Sequence, residues 1–356
     1  MKRFVFSLLV LLFSVAGASA QLKFVGAEQL GLVNKLGPTK NRYHRVDTDK
    51  YDLTQTEANL LRMPAGMALV FRTNSSQIVV RTHYLNYSMV RYSTTGVSQT
   101  GYDLYIRKDG EWMYAGSNAP KNEDAELVLV RNMDDSEKEC LLYLPLFSEL
   151  KRIEIGIDEG AEIEASANPF RHRIVIFGSS FTHGTSTGRP GMSYPMIMQR
   201  NTGLQFISLG VSGNSKLQQS FAAIIGDSAC DAIVVDAFSN PGPEMIRERF
   251  LPFVAAIRKA HPAVPLIFLQ TIYRERANFD LKERAREEEK RRAAREVFEE
   301  AAEIYNDIYF VDEPDLTGTD HITSLDGTHP DDLGYWRWAN AIQPRIVKIL
   351  KKYGIR

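Results

Sequence analysis

"RIVIFGSSFTHGTSTGRPG", residues 173–191, begins as an apolar, β-branched run, stops at Gly178-Ser179-Ser180 and continues polar and glycine-rich. A near-continuous apolar run suits a strand buried on both faces of a parallel sheet. Four more follow: "LQFISLG" (204–210), "AIVVDAFS" (232–239), "PLIFLQT" (265–271) and "DIYFVDE" (307–313), separated by segments long enough for helices. This rhythm predicts an α/β layer domain with helical crossovers, closing in a helix over about 330–351. Ligands of such sheets bind beyond the carboxyl ends of the strands, so a strand that ends in two serines presents a hydroxyl at that rim.

Upstream the pattern is different. Short strand-like runs, "MALVFRT" (67–73), "QIVVRTHYL" (77–85), "YDLYIRK" (102–108), "EWMYAG" (111–116), "ELVLVR" (126–131), "ECLLYLPL" (139–146) and "KRIEIGID" (151–158), are separated by turn signals. The last alternates so that Ile153, Ile155 and Ile157 share one face, as a half-buried strand requires. This half reads as an antiparallel β-sandwich.

The chain opens with Lys2 and Arg3, an apolar segment from Phe4 to Ala16, and Ala18-Ser19-Ala20. Charged, apolar and small-residue regions in that order predict a secretory signal peptide over 1–20, too short to span a bilayer comfortably. The mature chain is then exported, periplasmic or secreted, with no membrane insertion after cleavage. Removing Lys2 and Arg3 takes the formal net charge from −1 to −3. That near balance argues against nucleic acid, which calls for a basic face. Cys140 and Cys230 lie in or beside apolar runs and read as two buried thiols; neither has metal-ligand spacing, so no metal is expected. At 336 residues the mature chain exceeds what one core usually serves, and the division predicted is 1–20 leader, 21–168 sandwich and 169–356 α/β domain.

Polar residues gather after these strands. Ser179 and Ser180 follow the first, "SLGVSGNSKL" (208–217) closes the second, Ser239-Asn240 close the third, and "SLDGTHPDDLG" (324–334) follows the fifth. A serine hydroxyl becomes nucleophilic when a neutral imidazole takes its proton, and a carboxylate orients that imidazole. Asp326 and His329 are candidates for that pair. A developing oxyanion needs aimed donors, and the N–H groups of Ser180 and Gly213 and the Asn240 side-chain amide are candidates. Asn240 can alternatively start a helix, with Glu244 in its first turn. His183 and His321 compete for the base role; His183 also reads as a pocket-wall residue. Arg189, in "GRPGM", is either a substrate contact or half of a structural ion pair. The run 274–305 alternates acids and bases at helical spacing and reads as a solvated helix laced with weak pairs.

The motifs GSSFTHG (178–184), RPGMSYP (189–195), LGVSGNSKL (209–217), DAFSNPGPEM (236–245) and DGTHPDDLG (326–334) stand in the order of the blocks of the SGNH hydrolases, also called GDSL esterases. The chain resembles in particular a branch whose N-terminal β-rich domain is marked GxDLY, here Gly101-Tyr102-Asp103-Leu104-Tyr105. The resemblance implies a flavodoxin-like three-layer hydrolase domain preceded by an antiparallel β-sandwich domain. It implies Ser180 as nucleophile, His329 as base, Asp326 as its acid, and Ser180, Gly213 and Asn240 as the oxyanion hole, with no cofactor. His183 and Arg189 are the expected substrate contacts. Ser179 departs from the pattern, since the first block usually carries aspartate there. The Gly-x-Ser-x-Gly elbow of α/β-hydrolases fits less well, because Thr182 takes its last glycine and the acid lies three residues before the histidine. The expected activity is hydrolysis of short acyl esters, in particular acetyl groups on a glycan. The alternatives are a lipase for longer acyl chains and a carbohydrate-binding protein on a hydrolase scaffold.

Overall fold

The computed structural model describes residues 21–87 and 92–356. The expected leader, residues 1–20, lies outside the described residues.

The N-terminal half is a sandwich of two antiparallel sheets. One orders its strands Leu22–Gly26, Glu149–Asp158, Ile78–Asn86 and Leu127–Val130. The other runs Ile163–Ala165, Ala68–Thr73, Lys138–Tyr143, Tyr102–Lys108 and Glu111–Asn118, with Gly31–Val33 added on Ala68–Thr73. Ile153, Ile155 and Ile157 are fully buried between the sheets with Leu69, Phe71, Leu104 and Leu142. Three short strands escape the sequence reading, because runs of three to five residues carry too little alternation to register. The helix Gln55–Arg62 escapes it as well, although Thr54 and Glu57 form a capping box at its start.

The C-terminal half carries the five predicted strands: β1 (Arg171–Gly178), β2 (Leu204–Gly210), β3 (Ala232–Asp236), β4 (Leu266–Leu269) and β5 (Ile308–Val311). All four pairings are parallel, and the order is β2-β1-β3-β4-β5. That is the flavodoxin-like doubly wound order, with its switch point beside β1. The helices are α1 (Ser180–His183), α2 (Tyr194–Thr202), α3 (Gln219–Gly226), α4 (Pro243–Ala260), α5 (Leu281–Ile304) and α6 (Asp332–Leu350). Among the described residues no helix is long and apolar enough to cross a membrane.

The two halves share cores. Val70, Tyr105, Leu141 and Tyr143, from the outer face of the second sheet, pack with Ile174, Ile176, Met196 and Phe206. On the opposite face of the parallel sheet, Leu36, Val46, Leu61 and Met63 pack with Val175, Phe177 and Leu209. Cys140 is buried, Cys230 half-buried, and both are free thiols.

One sequence expectation is corrected here. Helix α5 is charged along its length but is not solvated all round: Glu287 and Lys290 are each 1% exposed and paired with one another. The inward face continues with the buried Ala293, Ala294, Val297 and Ala301, and the periodicity of charge alone carries no sign of that burial.

Candidate active site

Strand β1 delivers the first block. The strand ends at Gly178, and the chain, still buried, turns at once into the one-turn helix α1. Ser179 is the N-cap, its hydroxyl accepting from the Phe181 N–H at 3.2 Å. Serine and aspartate are both good N-caps, which gives the departure at this position a physical reading: the cap is kept. Ser180 is then the first helical residue, 5% exposed, with its hydroxyl at the rim of the sheet. A Cβ at Gly210 would stand 2.3 Å from the His183 backbone nitrogen, so only glycine lets β2 pass this close to α1.

The fifth connection brings the imidazole. His329 Nε2 lies 2.9 Å from Ser180 Oγ, and His329 Nδ1 lies 2.8 Å from Asp326 Oδ2. The other carboxylate oxygen, Asp326 Oδ1, accepts from the N–H groups of Thr328 at 2.9 Å and His329 at 2.7 Å. Partial burial pushes the Asp326 carboxyl upward, but the His329 ring and these backbone donors outweigh it and hold the group well below the usual carboxylate range. Asp326 is therefore an anion that orients the ring through its Nδ1–H.

Two more segments carry the remaining candidates. Asn214 N–H bonds the Val211 carbonyl at 2.9 Å and closes a turn in which Gly213 has φ +75°, a conformation that favours glycine. Asn240 Oδ1 accepts from Ser215 N at 3.2 Å and Ser215 Oγ at 3.0 Å, which turns its NH₂ to the other side. The N–H groups of Ser180 and Gly213 take no partner among the described residues. Helix α4 begins after Gly242, so Asn240 is not its cap. The arrangement is a serine hydroxyl on one imidazole nitrogen, a carboxylate on the other, and backbone N–H groups on Ser180 and Gly213 without a partner among the described residues, groups of the kind that acyl transfer through a tetrahedral intermediate requires.

Both expected substrate contacts have partners within the protein. His183 is 1% exposed, stacks on Phe147 with ring centroids 4.3 Å apart, and bonds the Leu146 carbonyl at 2.7 Å. Arg189 bonds both carboxylate oxygens of the buried Asp103 at 2.8 Å and lies 4.4 Å over the Tyr114 ring. Both side chains are spent joining the halves, so the aspartate of the GxDLY segment anchors the loop after α1. His321 Nδ1 pairs with Glu275 Oε2 at 2.8 Å.

Sequence reasoning missed the supports. Asp236, at the end of β3, accepts from Thr182 Oγ1 at 2.8 Å and Tyr194 OH at 3.0 Å and ties α1 to the sheet. Arg45, fully buried, donates to the carbonyls of Met63 and Leu60 on one side and Ser208 and Gly210 on the other, fixing the strand that leads to Gly213. Only the spacing of Asp236 to Asn240 in one block hinted at either. Among the described residues no group of three or more His, Cys, Asp or Glu is placed to hold a metal ion.

A model of the GDSL-like lipase/acylhydrolase family matches residues 171–347, and the GxDLY model, described as the N-terminus of SGNH hydrolase-type esterases, matches 22–163. Among solved structures, a GDSL-like lipase of Bacteroides ovatus ATCC 8483 is 41% identical, with a TM-score of 0.91 over 93% of this chain and 98% of that one. The salicylyl-acyltransferase SsfX3 of a tetracycline biosynthetic pathway is 19% identical, with a TM-score of 0.72 over 94% and 99%. An acetyl xylan esterase, Est2A, of the rumen bacterium Butyrivibrio proteoclasticus is 12% identical, with a TM-score of 0.58 over 93% and 99%. Among curated proteins none matches.

Proposed function

The chain belongs to the GDSL-like lipase/acylhydrolase family and is an ester-hydrolysing enzyme, and from that premise we propose that it is an exported serine esterase that removes short acyl groups, acetyl above all, from a glycan. The observation that carries the mechanism is the continuous contact Asp326–His329–Ser180, at 2.8 and 2.9 Å. His329 takes the Ser180 proton as Oγ attacks the acyl carbon. The Ser180 and Gly213 N–H groups and the Asn240 amide receive the developing oxyanion. His329 then returns the proton to the leaving alcohol, and water, deprotonated by the same ring, releases the acid from Ser180.

Small acyl size rests on the rim. The connections "THGTSTGRPG", "SGNSK" and "SNPGP" are small or polar, and a methylene contributes about 0.8 kcal/mol only where an apolar wall receives it. The glycan is suggested by one fold neighbour named as an acetyl xylan esterase and another named as a family two carbohydrate esterase. Export rests on the leader-like residues 1–20, and the division at 168/169 is proposed on the change from antiparallel to parallel pairing between Ala165 and Arg171. A second reading, longer acyl chains, draws on Ile322, Leu325 and Leu333, exposed on and beside the loop that carries Asp326 and His329. Measuring kcat/KM for esters of one alcohol from acetyl to decanoyl separates the two. The proposal expects a maximum at acetyl or propionyl and a higher value on acetylated xylan oligomers than on the simple ester; a steady climb to decanoyl replaces it with a lipase.

A further inference from the structure

The charged run 274–305 reaches the site. Lys290 Nζ donates to the Ser239 carbonyl at 2.9 Å, and Arg274 Nη2 donates to the same oxygen and to Ser239 Oγ, each at 2.9 Å. Behind them, Glu287 pairs with Lys290 and lies 3.4 Å from Arg274 Nε, and Glu283 lies 3.3 Å from Arg274 Nη1. Two cations and two carboxylates are thus packed under one peptide oxygen. A buried ion pair is on average no more stabilising than apolar side chains of the same volume, so what this cluster adds over a hydrophobic patch is geometry.

Peptide planarity gives that geometry a target. The Ser239 carbonyl lies in one plane with the nitrogen and Cα of Asn240. Gripping the oxygen from two directions therefore fixes the point from which the Asn240 side chain departs, and Ser215 fixes the far end of that side chain through Oδ1. Neither contact uses the Asn240 NH₂.

We propose that Lys290, together with Arg274, is a positioning residue for the oxyanion donor Asn240: by holding the Ser239 peptide it holds the amide where charge develops on the substrate carbonyl. This rests on the oxyanion assignment of Asn240 above. Donors of this kind act by being in place before the reaction, and small misplacements of catalytic groups cost up to about a hundredfold in rate.

The test is a double-mutant cycle on 4-nitrophenyl acetate with wild type, Lys290→Met, Asn240→Ala and the double variant. Lys290→Met should lower kcat about ten- to a hundredfold with KM within about twofold. In the Asn240→Ala background it should cost less than about twofold more, since the group it positions is gone. Because Lys290→Met strands a buried Glu287 carboxylate, Lys290→Met/Glu287→Gln removes the pair together and should show the same kcat effect if the single variant does not fold. An unchanged kcat in a folded Lys290 variant, or an equal loss in both backgrounds, overturns the inference. Wild-type kcat in Asn240→Ala overturns the oxyanion assignment and the inference with it, while leaving the Ser180 mechanism to its own test.

Discussion

At the scale of single residues, two adjacent serines do different work. The Ser179 hydroxyl accepts from a backbone N–H, whereas the Ser180 hydroxyl faces an imidazole. Ser179→Ala should therefore cost about 1 kcal/mol of stability, the usual worth of an N-cap, and keep most of the activity. Loss of activity confined to Ser179→Ala would move the nucleophile by one position. Asp326 makes a sharper prediction. Its carboxyl is held well below the usual range by the His329 ring and the backbone donors, so it should add no protonation of its own to the acid side of the rate profile. The base must be neutral to act, so log kcat/KM should rise with pH with a slope of one. A slope of two would mean that Asp326 titrates in the same range and is not the paired anion described.

At the scale of elements, α1 is only four residues long and cannot hold itself. Asp236 at the end of β3 does much of that holding, and burial pushes its carboxyl up from 3.8 to about 7, partly offset by the Thr182 and Tyr194 hydroxyls. A carboxyl raised in the folded state contributes stability that is present in full below its unfolded value and is lost as pH rises through the folded one. Relative to Asp236→Asn, the wild type should therefore lose thermal stability between about pH 4 and about pH 7. A stability difference between the two that does not change with pH would refute the buried, titrating carboxyl. The five parallel strands were legible because burial on both faces leaves long apolar runs, and the rim residues because they follow those runs directly. Asp236, Arg45 and Lys290 were not, since what identifies them is the carbonyl or hydroxyl they touch across 15 to 165 residues of chain, and composition and periodicity see only neighbours.

At the scale of the whole molecule, the sandwich is part of the catalytic scaffold. Asp103, inside the GxDLY segment, clamps Arg189, while Ser98 and Thr95 bond Thr187 Oγ1 and the Gly188 carbonyl in the same loop after α1. Residue types alone left Arg189 open between substrate contact and ion pair, because a guanidinium serves either and the deciding partner lies 86 residues away. Arg189→Met should strand a buried carboxylate and cost about 3 kcal/mol of stability while KM for a small ester stays within about threefold. A tenfold rise in KM at unchanged melting temperature would return Arg189 to the substrate. The fold class and the order of the site blocks were readable along the chain; the dependence of the site on the sandwich needed the packed molecule.

The central claim, that Ser180 attacks through His329, is tested most directly by covalent trapping. Incubation with a fluorophosphonate followed by intact-mass and peptide analysis should give a single adduct on Ser180 in the wild type, none in Ser180→Ala, and labelling slowed by at least about a hundredfold in folded His329→Ala. Stoichiometric labelling that persists in Ser180→Ala, or an adduct mapped to another residue, would contradict the account.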